Sequence, residues 1–375
     1  MTPHTDRAAD PALQRLVDQV HTAQAEGSAL LLRGGGTKDF YGGALTGKPL
    51  EVGELRGICS YEPTEMVITA RAGTPLRELE AALSTCGQHL AFEPPRFGAM
   101  GAQATVGGMV AAGLAGPSRA AVGGVRDFVL GACVLNGHGQ LLRFGGQVVK
   151  NVAGYDASRA FAGSMGVLGV ICEVSLKVPP IPAASSTVEL PCEQAEALRL
   201  IHAWRRAALP LNASAWHRER LRVRLSGAVA AVRSAVQKLT EESGVRALDD
   251  DEAQRYWDGL RDHGEAFFSD RSERANPVPL WRVSVPSNHP PLDLAGETLI
   301  EWGGAQRWLF SNAPAEKIRE VAKRAGGHAS VFRAHPRAAD FLAPLPAPLE
   351  CIHRALKQAF DPAGIFNRGR LYPWL

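Results

Sequence analysis

Three consecutive glycines, Gly34-Gly35-Gly36, follow the apolar run Ala29-Leu30-Leu31-Leu32 and precede Thr37-Lys38. Nothing else in the chain so narrows what it can fold into. Glycine lets a backbone bend where a side chain would collide. A strand that runs into such a bend can turn a row of N–H groups toward one point, and a nest of that kind binds an anion. The stretch from Arg33 to Lys38 therefore reads as a phosphate cradle. A second glycine-dense region, residues 98 to 170, holds 17 of the 39 glycines. Two separated glycine loops suit a ligand with two phosphates and a long body.

A length of 375 residues predicts two or three domains. The net charge is +3 and the charges are interspersed, which argues against a nucleic-acid surface. No apolar run reaches the roughly 18 residues that a membrane span needs. The start, Met1 to Asp10, is polar and unlike a secretory signal. The expectation is a cytoplasmic protein whose membrane association, if any, is made through partners. Cys59, Cys86, Cys133, Cys172, Cys192 and Cys351 are scattered, with no C-x-x-C pair. Iron–sulfur clusters and structural zinc need closely spaced thiolates, so neither a cluster nor a metal is expected. Electrons from any redox step must then leave to another chain or a diffusible acceptor.

Residues 11 to 26 read as a helix, capped by Asp10 and stopped by Gly27. Ala29 to Leu32 and Met66 to Ala72 read as strands, and Thr74-Pro75 opens a second helix. Phe128 to Leu135 and Gln140 to Phe144 form a hairpin across Asn136-Gly137-His138-Gly139. From Val170 to Val178, apolar residues alternate with Ile171, Glu173, Ser175 and Lys177, which predicts a strand with one polar face. Pro179, Pro180 and Pro182 mark a domain boundary. Beyond it lie all seven tryptophans. Strands are expected at 221–225, 281–285, 298–302 and 308–310, and helices at 193–208, 228–242 and 314–325. These elements predict an antiparallel sheet with helices on one face, an α+β domain. Leu349, Ile352, Leu356 and Phe360 form a last helical stripe, ended by Asp361-Pro362.

Other cofactor signals fail on context. Gly163, Gly166 and Gly169 give G-x-x-G-x-x-G before a strand, which is not a dinucleotide fingerprint of the Rossmann type. Gly42 to Lys48 has P-loop spacing, but Pro49 stands where a Mg²⁺-binding hydroxyl belongs, and a strand-like segment follows. Gly163-Ser164-Met165-Gly166 lacks the spacing of a nucleophile elbow.

Leu32 to Gly42 (LRGGGTKDFYG) resembles the first pyrophosphate loop of the vanillyl-alcohol-oxidase, or PCMH-type, FAD-binding family. Ala104 to Gly108 resembles its second loop, and Gly123 to Gly131 the segment after it. Lys150 to Asp156, Gly163-Ser164 and Gly166 to Ile171 resemble a run found in its 2-hydroxyacid dehydrogenases, and Phe360 to Arg370 their C-terminal signature. The resemblance covers about the first 180 residues and the last 30. It implies an α+β fold: a two-lobed PCMH-type FAD-binding domain at 1–180, an α+β cap of mainly antiparallel sheet and helices at 181–345, and a helix and tail at 346–375 that return to the FAD domain. Within the family the chain is most similar to the shorter flavin-type subunits of bacterial glycolate oxidases. That implies a cytoplasmic complex, with a larger flavin subunit and an iron–sulfur subunit as partners, that oxidises the 2-hydroxy acid glycolate to glyoxylate.

The resemblance also implies site residues. Arg33, Gly34, Gly35, Gly36, Thr37 and Lys38 would hold the pyrophosphate of FAD, with Thr105, Gly107 and Gly108 approaching from the other side. Val170 and Ile171 would lie near the adenine, and Asn367 near the isoalloxazine. Lys150 is a candidate positive charge near the reduced flavin. Where some relatives carry a flavin-linking His, this chain has Thr37, which implies non-covalent FAD. No Gly-Asp-Gly-Asn-x-His element lies between 181 and 345. Arg333, His335 and Arg337 form a cationic cluster that could serve a carboxylate or be a solvated turn, so no catalytic residue is assigned. Three readings remain: an accessory or electron-relaying FAD subunit, a self-sufficient FAD dehydrogenase, and a flavin-free assembly scaffold. Against the last, an unused cradle has no evident need for three glycines.

Overall fold

The computed structural model describes residues 10–97, 103–146, 157–272, 278–337 and 340–375. Helix α1 (Pro11–Glu26) starts where Asp10 accepts the Ala12 N–H, and it stops at Gly27, whose φ of 64° lets its N–H turn back to the carbonyls of Ala23 and Gln24. Its apolar face buries Leu13, Leu16, Val20 and Ala23. Strand β1 (Leu30–Arg33) then runs parallel to β2 (Lys48–Glu51). The P-loop-like spacing thus leads into a strand, and no helix N-terminus stands behind it.

Strands β3 (Ile58–Glu62) and β4 (Val67–Arg71) precede helices α2 (Leu76–Ser84), α3 (Val106–Ala112), α4 (Arg119–Val122) and α5 (Val125–Phe128). With β5 (Val129–Leu135), β6 (Leu141–Gly145) and β7 (Val170–Lys177) they build an antiparallel sheet in the order β3-β4-β7-β5-β6. The β5–β6 hairpin is as expected. Strand β7 departs from the expectation of a polar solvent face. It is the central strand and is buried on both sides, with Glu173 and Ser175 under cover. Their polar groups are matched locally: the Ser175 hydroxyl lies 2.8 Å from that of Thr69, and the Cys59 thiol donates to Glu173.

The chain continues through β8 (Ala184–Pro191), α6 (Gln194–Arg206), β9 (Leu211–His217), β10 (Arg220–Gly227), α7 (Val229–Ser243), β11 (Arg246–Ala247), α8 (Asp250–Asp262) and α9 (Ala266–Ser272). Then come β12 (Leu280–Ser284), β13 (Glu297–Glu301), β14 (Gln306–Phe310), α10 (Ala315–Arg324) and β15 (His328–Arg333). All these strands join one antiparallel sheet, ordered β11-β8-β10-β9-β13-β14-β12-β15. Alternation on β10 sets its two faces. Leu221, Val223 and Leu225 pack on α6 and α7. Following the register through Trp216, Ile300 and Arg307 brings the same face to Trp281, over which Arg319 of α10 lies. The expectation of helices on one face alone is corrected here. Arg222 and Arg224 point the other way and lie over Tyr256 and Trp257 of α8. That second face also meets the first half of the chain. Arg224 pairs with Glu93 at 2.6 Å, Trp302 donates to the Gly116 carbonyl at 3.0 Å, and Asp262 accepts the Arg96 N–H at 2.8 Å.

Helix α11 (Ala347–Phe360) forms, but its stripe packs only at one end. Leu349 and Ile352 stay exposed, whereas Phe360 sets its ring against Phe144 and Phe161. After it the tail returns to β1: Leu30 N–H donates to Ile365 and Asn367 N–H donates to Leu30. Asp361 fixes that turn. Its buried carboxylate accepts the N–H groups of Ile365 and Phe366 and the Lys357 ammonium, which also reaches the Val167 and Phe366 carbonyls. Asp361→Ala would leave both amides without their acceptor and the ammonium without its counter-ion. A loss of about 3–5 kcal/mol in urea denaturation is expected.

Candidate functional site

The loop after β1 and the loop before α3 face each other across a half-open cleft. Arg33, Gly34, Gly35, Gly36, Thr37, Lys38, Thr105, Gly107, Gly108, Val170, Ile171 and Asn367 all line it. Residues from four distant stretches of sequence are thus brought together. Lys150 lies outside the described residues. The cleft also takes in Asp39, Met165, Gly166 and Arg370, which sequence reasoning did not assign to the site. All four lie inside strings that did stand out, but a loop sequence does not show which of its residues turn inward.

Close approach of the two loops explains the glycines. A Cβ on Gly34 would lie 2.4 Å from the Thr105 Oγ1, and one on Gly35 would lie 1.5 Å from the Gln103 carbonyl oxygen. Gly36 adopts φ 73°, a region that only glycine enters without strain. Loop packing and backbone conformation therefore require all three glycines, and an unused cradle would need them too. A different observation marks the cradle. Among the described residues, no hydrogen bond uses the main-chain N–H groups from Gly34 to Lys38. A run of unmatched amides beside a cleft is an anion site in waiting. The second loop differs. Its Val106 and Gly107 amides already donate to Thr74 and Ala72, and Gly108 donates to the Thr105 side chain at 3.2 Å. Its contribution is a bare surface that permits close approach.

Cations surround the cradle. Burial pulls the Lys38 ammonium down to about 8, with a partial counter-effect from Asp262. Its contacts are weak: the Thr37 hydroxyl at 3.4 Å and the face of Phe97 at 5.6 Å. Arg33 pairs with Asp39 at 2.9 Å. Arg370 is buried, pushed down to about 10 by that burial, and donates to the Gly43 and Tyr41 carbonyls. Asn367 is fully engaged. Its Oδ1 accepts the Leu32 N–H at 2.8 Å and its Nδ2 donates to the Met165 carbonyl at 2.6 Å. The candidate cluster Arg333, His335 and Arg337 does not act as a unit: Arg333 lies over the Phe40 ring, whereas Arg337 reaches the Gly43 carbonyl. Among the described residues, no group of three His, Cys, Asp or Glu side chains could hold a metal ion.

Comparison with known proteins agrees with this geometry. Residues 13–145 match the family model described as FAD binding domain, and residues 350–371 match that of the FAD linked oxidases, C-terminal domain. The chain is 46% identical over 359 residues to glycolate oxidase subunit GlcE of Escherichia coli (strain K12), covering 96% of this chain and 97% of the relative. It is 30% identical over 154 residues to glycolate oxidase subunit GlcD of Bacillus subtilis (strain 168), covering 41% of this chain and 31% of the relative. Among solved structures, p-cresol methylhydroxylase with substrate bound superimposes with a TM-score of 0.66 at 14% identity, over 96% of this chain and 87% of that one.

The packing argument predicts an asymmetry between glycines. Gly35→Ala forces the second loop away and should cost about 1–3 kcal/mol in urea denaturation. Gly53→Ala has nothing within 4 Å of the new methyl group and should leave the midpoint unchanged.

Proposed function

The chain belongs to the GlcE family of glycolate oxidase subunits, on the PCMH-type FAD-binding fold, and from that membership we propose that it is the FAD-binding subunit of a complex oxidising glycolate to glyoxylate. Its part in the complex is accessory or electron-relaying. The observation that carries the reading is the run of unmatched amides from Gly34 to Lys38 beside the large cleft. In this proposal those amides and the Lys38 ammonium hold the diphosphate of FAD. Thr105, Gly107 and Gly108 close over it, and Val170 and Ile171 wall the adenine. Asn367 holds the cleft walls, and Thr37 in the first loop leaves the flavin non-covalent. FAD when bound supplies a redox centre that can take electrons from one partner subunit and pass them to another. The protein's share is to bind it, orient it and keep water from it. The chain divides at 180 and 345 into FAD domain, cap and returning tail. A larger flavin subunit and an iron–sulfur subunit complete the complex in the cytoplasm. No helix among the described residues is long and apolar enough to cross a membrane.

One observation favours a second reading, a self-sufficient dehydrogenase: a cavity between the two halves of the chain is lined by Arg282 and His263. Anaerobic glycolate added to the purified, FAD-loaded chain separates the two. Under the first reading the flavin absorbance stays oxidised until the other subunits are added. Rapid bleaching by the lone chain would replace it with the second, and a chain that takes up no FAD would sink both.

Lys38 also gives a pH signature. Its ammonium is held at about 8 in the free protein, and an anionic ligand raises that value. FAD affinity should be highest below pH 8 and fall as pH rises through it. Lys38→Met should weaken FAD by about tenfold at pH 7 and flatten that fall, read by fluorescence titration of FAD at each pH.

A further inference from the structure

The face of the large sheet turned away from the cofactor cleft is covered by α6 and α7 at one side and by α10 at the other. Between them the chain crosses the sheet as a strap, residues 285–296, in which Pro286, Pro290 and Pro291 restrict the backbone. Beneath the strap lies a half-open pocket of about 250 Å³. The strap contributes Leu292 and Leu294 to it. The sheet contributes Trp216, Val283, Thr298, Arg307 and Leu309, which the strand register places on one face.

These mainly apolar walls hold one deeply buried cation. The Arg307 Nε donates to the Gly304 carbonyl at 3.0 Å, and its two terminal nitrogens donate to the Pro290 and His289 carbonyls at 3.0 and 2.6 Å. The side chain thus ties the strap to the sheet. Those bonds use three of the five N–H groups that a guanidinium carries. Among the described residues no carboxylate pairs with Arg307. Burial alone pushes it down to about 10, so it keeps its charge at neutral pH. A desolvated cation with N–H groups to spare and no counter-ion is costly, and an arriving anion offsets that cost. Thr298 is the diagonal cross-strand neighbour of Arg307, and its hydroxyl makes no hydrogen bond among the described residues. At the mouth Glu297 is already engaged, by the His217 ring at 2.9 Å and the Arg218 guanidinium at 3.0 Å.

We propose that this pocket binds a monocarboxylate with an apolar body, an aryl or medium-chain acid, whose carboxylate takes the spare N–H groups of Arg307 with the Thr298 hydroxyl as a further donor. Arginine meets a carboxylate through charge-assisted bonds. One uncompensated cation matches one negative charge, whereas a phosphate dianion would leave a charge buried without a partner. The walls select the body. A short hydroxy acid would set its hydroxyl against leucine and valine, but a ring or an alkyl chain fills the space between Trp216, Leu292, Leu294 and Leu309. A cavity of about 150 Å³ accepts a benzene ring, so the volume here admits a ring with its carboxylate. The sheet itself separates the site from the cofactor cleft, and the inference stands whether or not the chain holds FAD.

Calorimetric titration of the full chain with benzoate, hexanoate and the neutral analogue benzyl alcohol tests it. Saturable binding of both acids, with benzyl alcohol at least about tenfold weaker, is the expected result. Leu294→Trp fills the pocket from the strap and should abolish binding of both acids. Arg307→Met should weaken them by about tenfold or more and leave benzyl alcohol unchanged. Neither excess glycolate nor inorganic phosphate should displace benzoate. The variants are compared with the wild-type chain at equal far-UV circular dichroism. Four results would overturn the site: no binding of either acid, benzyl alcohol binding as well as benzoate, displacement of benzoate by glycolate or phosphate, or undiminished benzoate affinity in a folded Leu294→Trp or Arg307→Met chain. If neither variant folds, the benzyl alcohol comparison and the displacement assays on the wild-type chain decide.

Discussion

The carboxamide of Asn367 holds the two walls of the glycine-lined cleft together. It takes the N–H of Leu32, the penultimate residue of β1, and gives its own N–H to Met165, just before the stretch that enters β7. One neutral side chain thus ties the first loop, the central sheet and the C-terminal tail. Its φ of 42° belongs to the left-handed region that asparagine enters more easily than most residues. Gly166 accommodates it, since a Cβ there would lie 2.7 Å from the Asn367 Nδ2. Behind it, Asp361 and Lys357 fix the turn that delivers the tail. The cradle can leave its amides unmatched because its ends are pinned by bonds made elsewhere.

How much of this was legible depends on the range of the interaction. Helix α1 could be read to its ends because Asp10, Pro11 and Gly27 act on their own neighbours. The β5–β6 hairpin and the strands β13 and β14 could be read because turn residues and alternation are also local. The polar positions of β7 misled, since alternation says which residues share a face and not what lies above it; their hydrogen-bond partners, Thr69 and Cys59, lie over a hundred residues away on neighbouring strands. The stripe on α11 misled in the opposite sense. Its period is helical, yet only the Phe360 end finds a packing partner. In the cradle, the glycine pattern located the loop correctly, but the physical reason at Gly34 and Gly35 is contact with Thr105 and Gln103, which no local pattern contains.

The cations follow a common rule. Lys38, Arg370, Arg333 and Arg282 are all partly or fully withdrawn from water, and burial lowers the first three. Arg370 is stabilised by carbonyls, and Arg333 by the face of Phe40. Arg282 has the Gln306 amide and the face of Trp302. Lys38 has no comparable partner and faces the cleft, so its desolvation is the least compensated of the four. A net charge of +3, with its signs interspersed along the chain, gave no hint of this local excess.

The junction between the halves explains why the large sheet carries arginines where a solvent face would suffice. On β10 the residues opposite Leu221, Val223 and Leu225 are Arg222 and Arg224, and their guanidinium groups lie over the aromatic rings of α8. That of Arg224 also pairs with Glu93 of the other half, and Glu93 in turn accepts the Ser118 N–H. The contact is therefore made of aromatic faces and directed polar bonds, and the Trp302 indole, donating to the Gly116 carbonyl, fixes the register of the two halves.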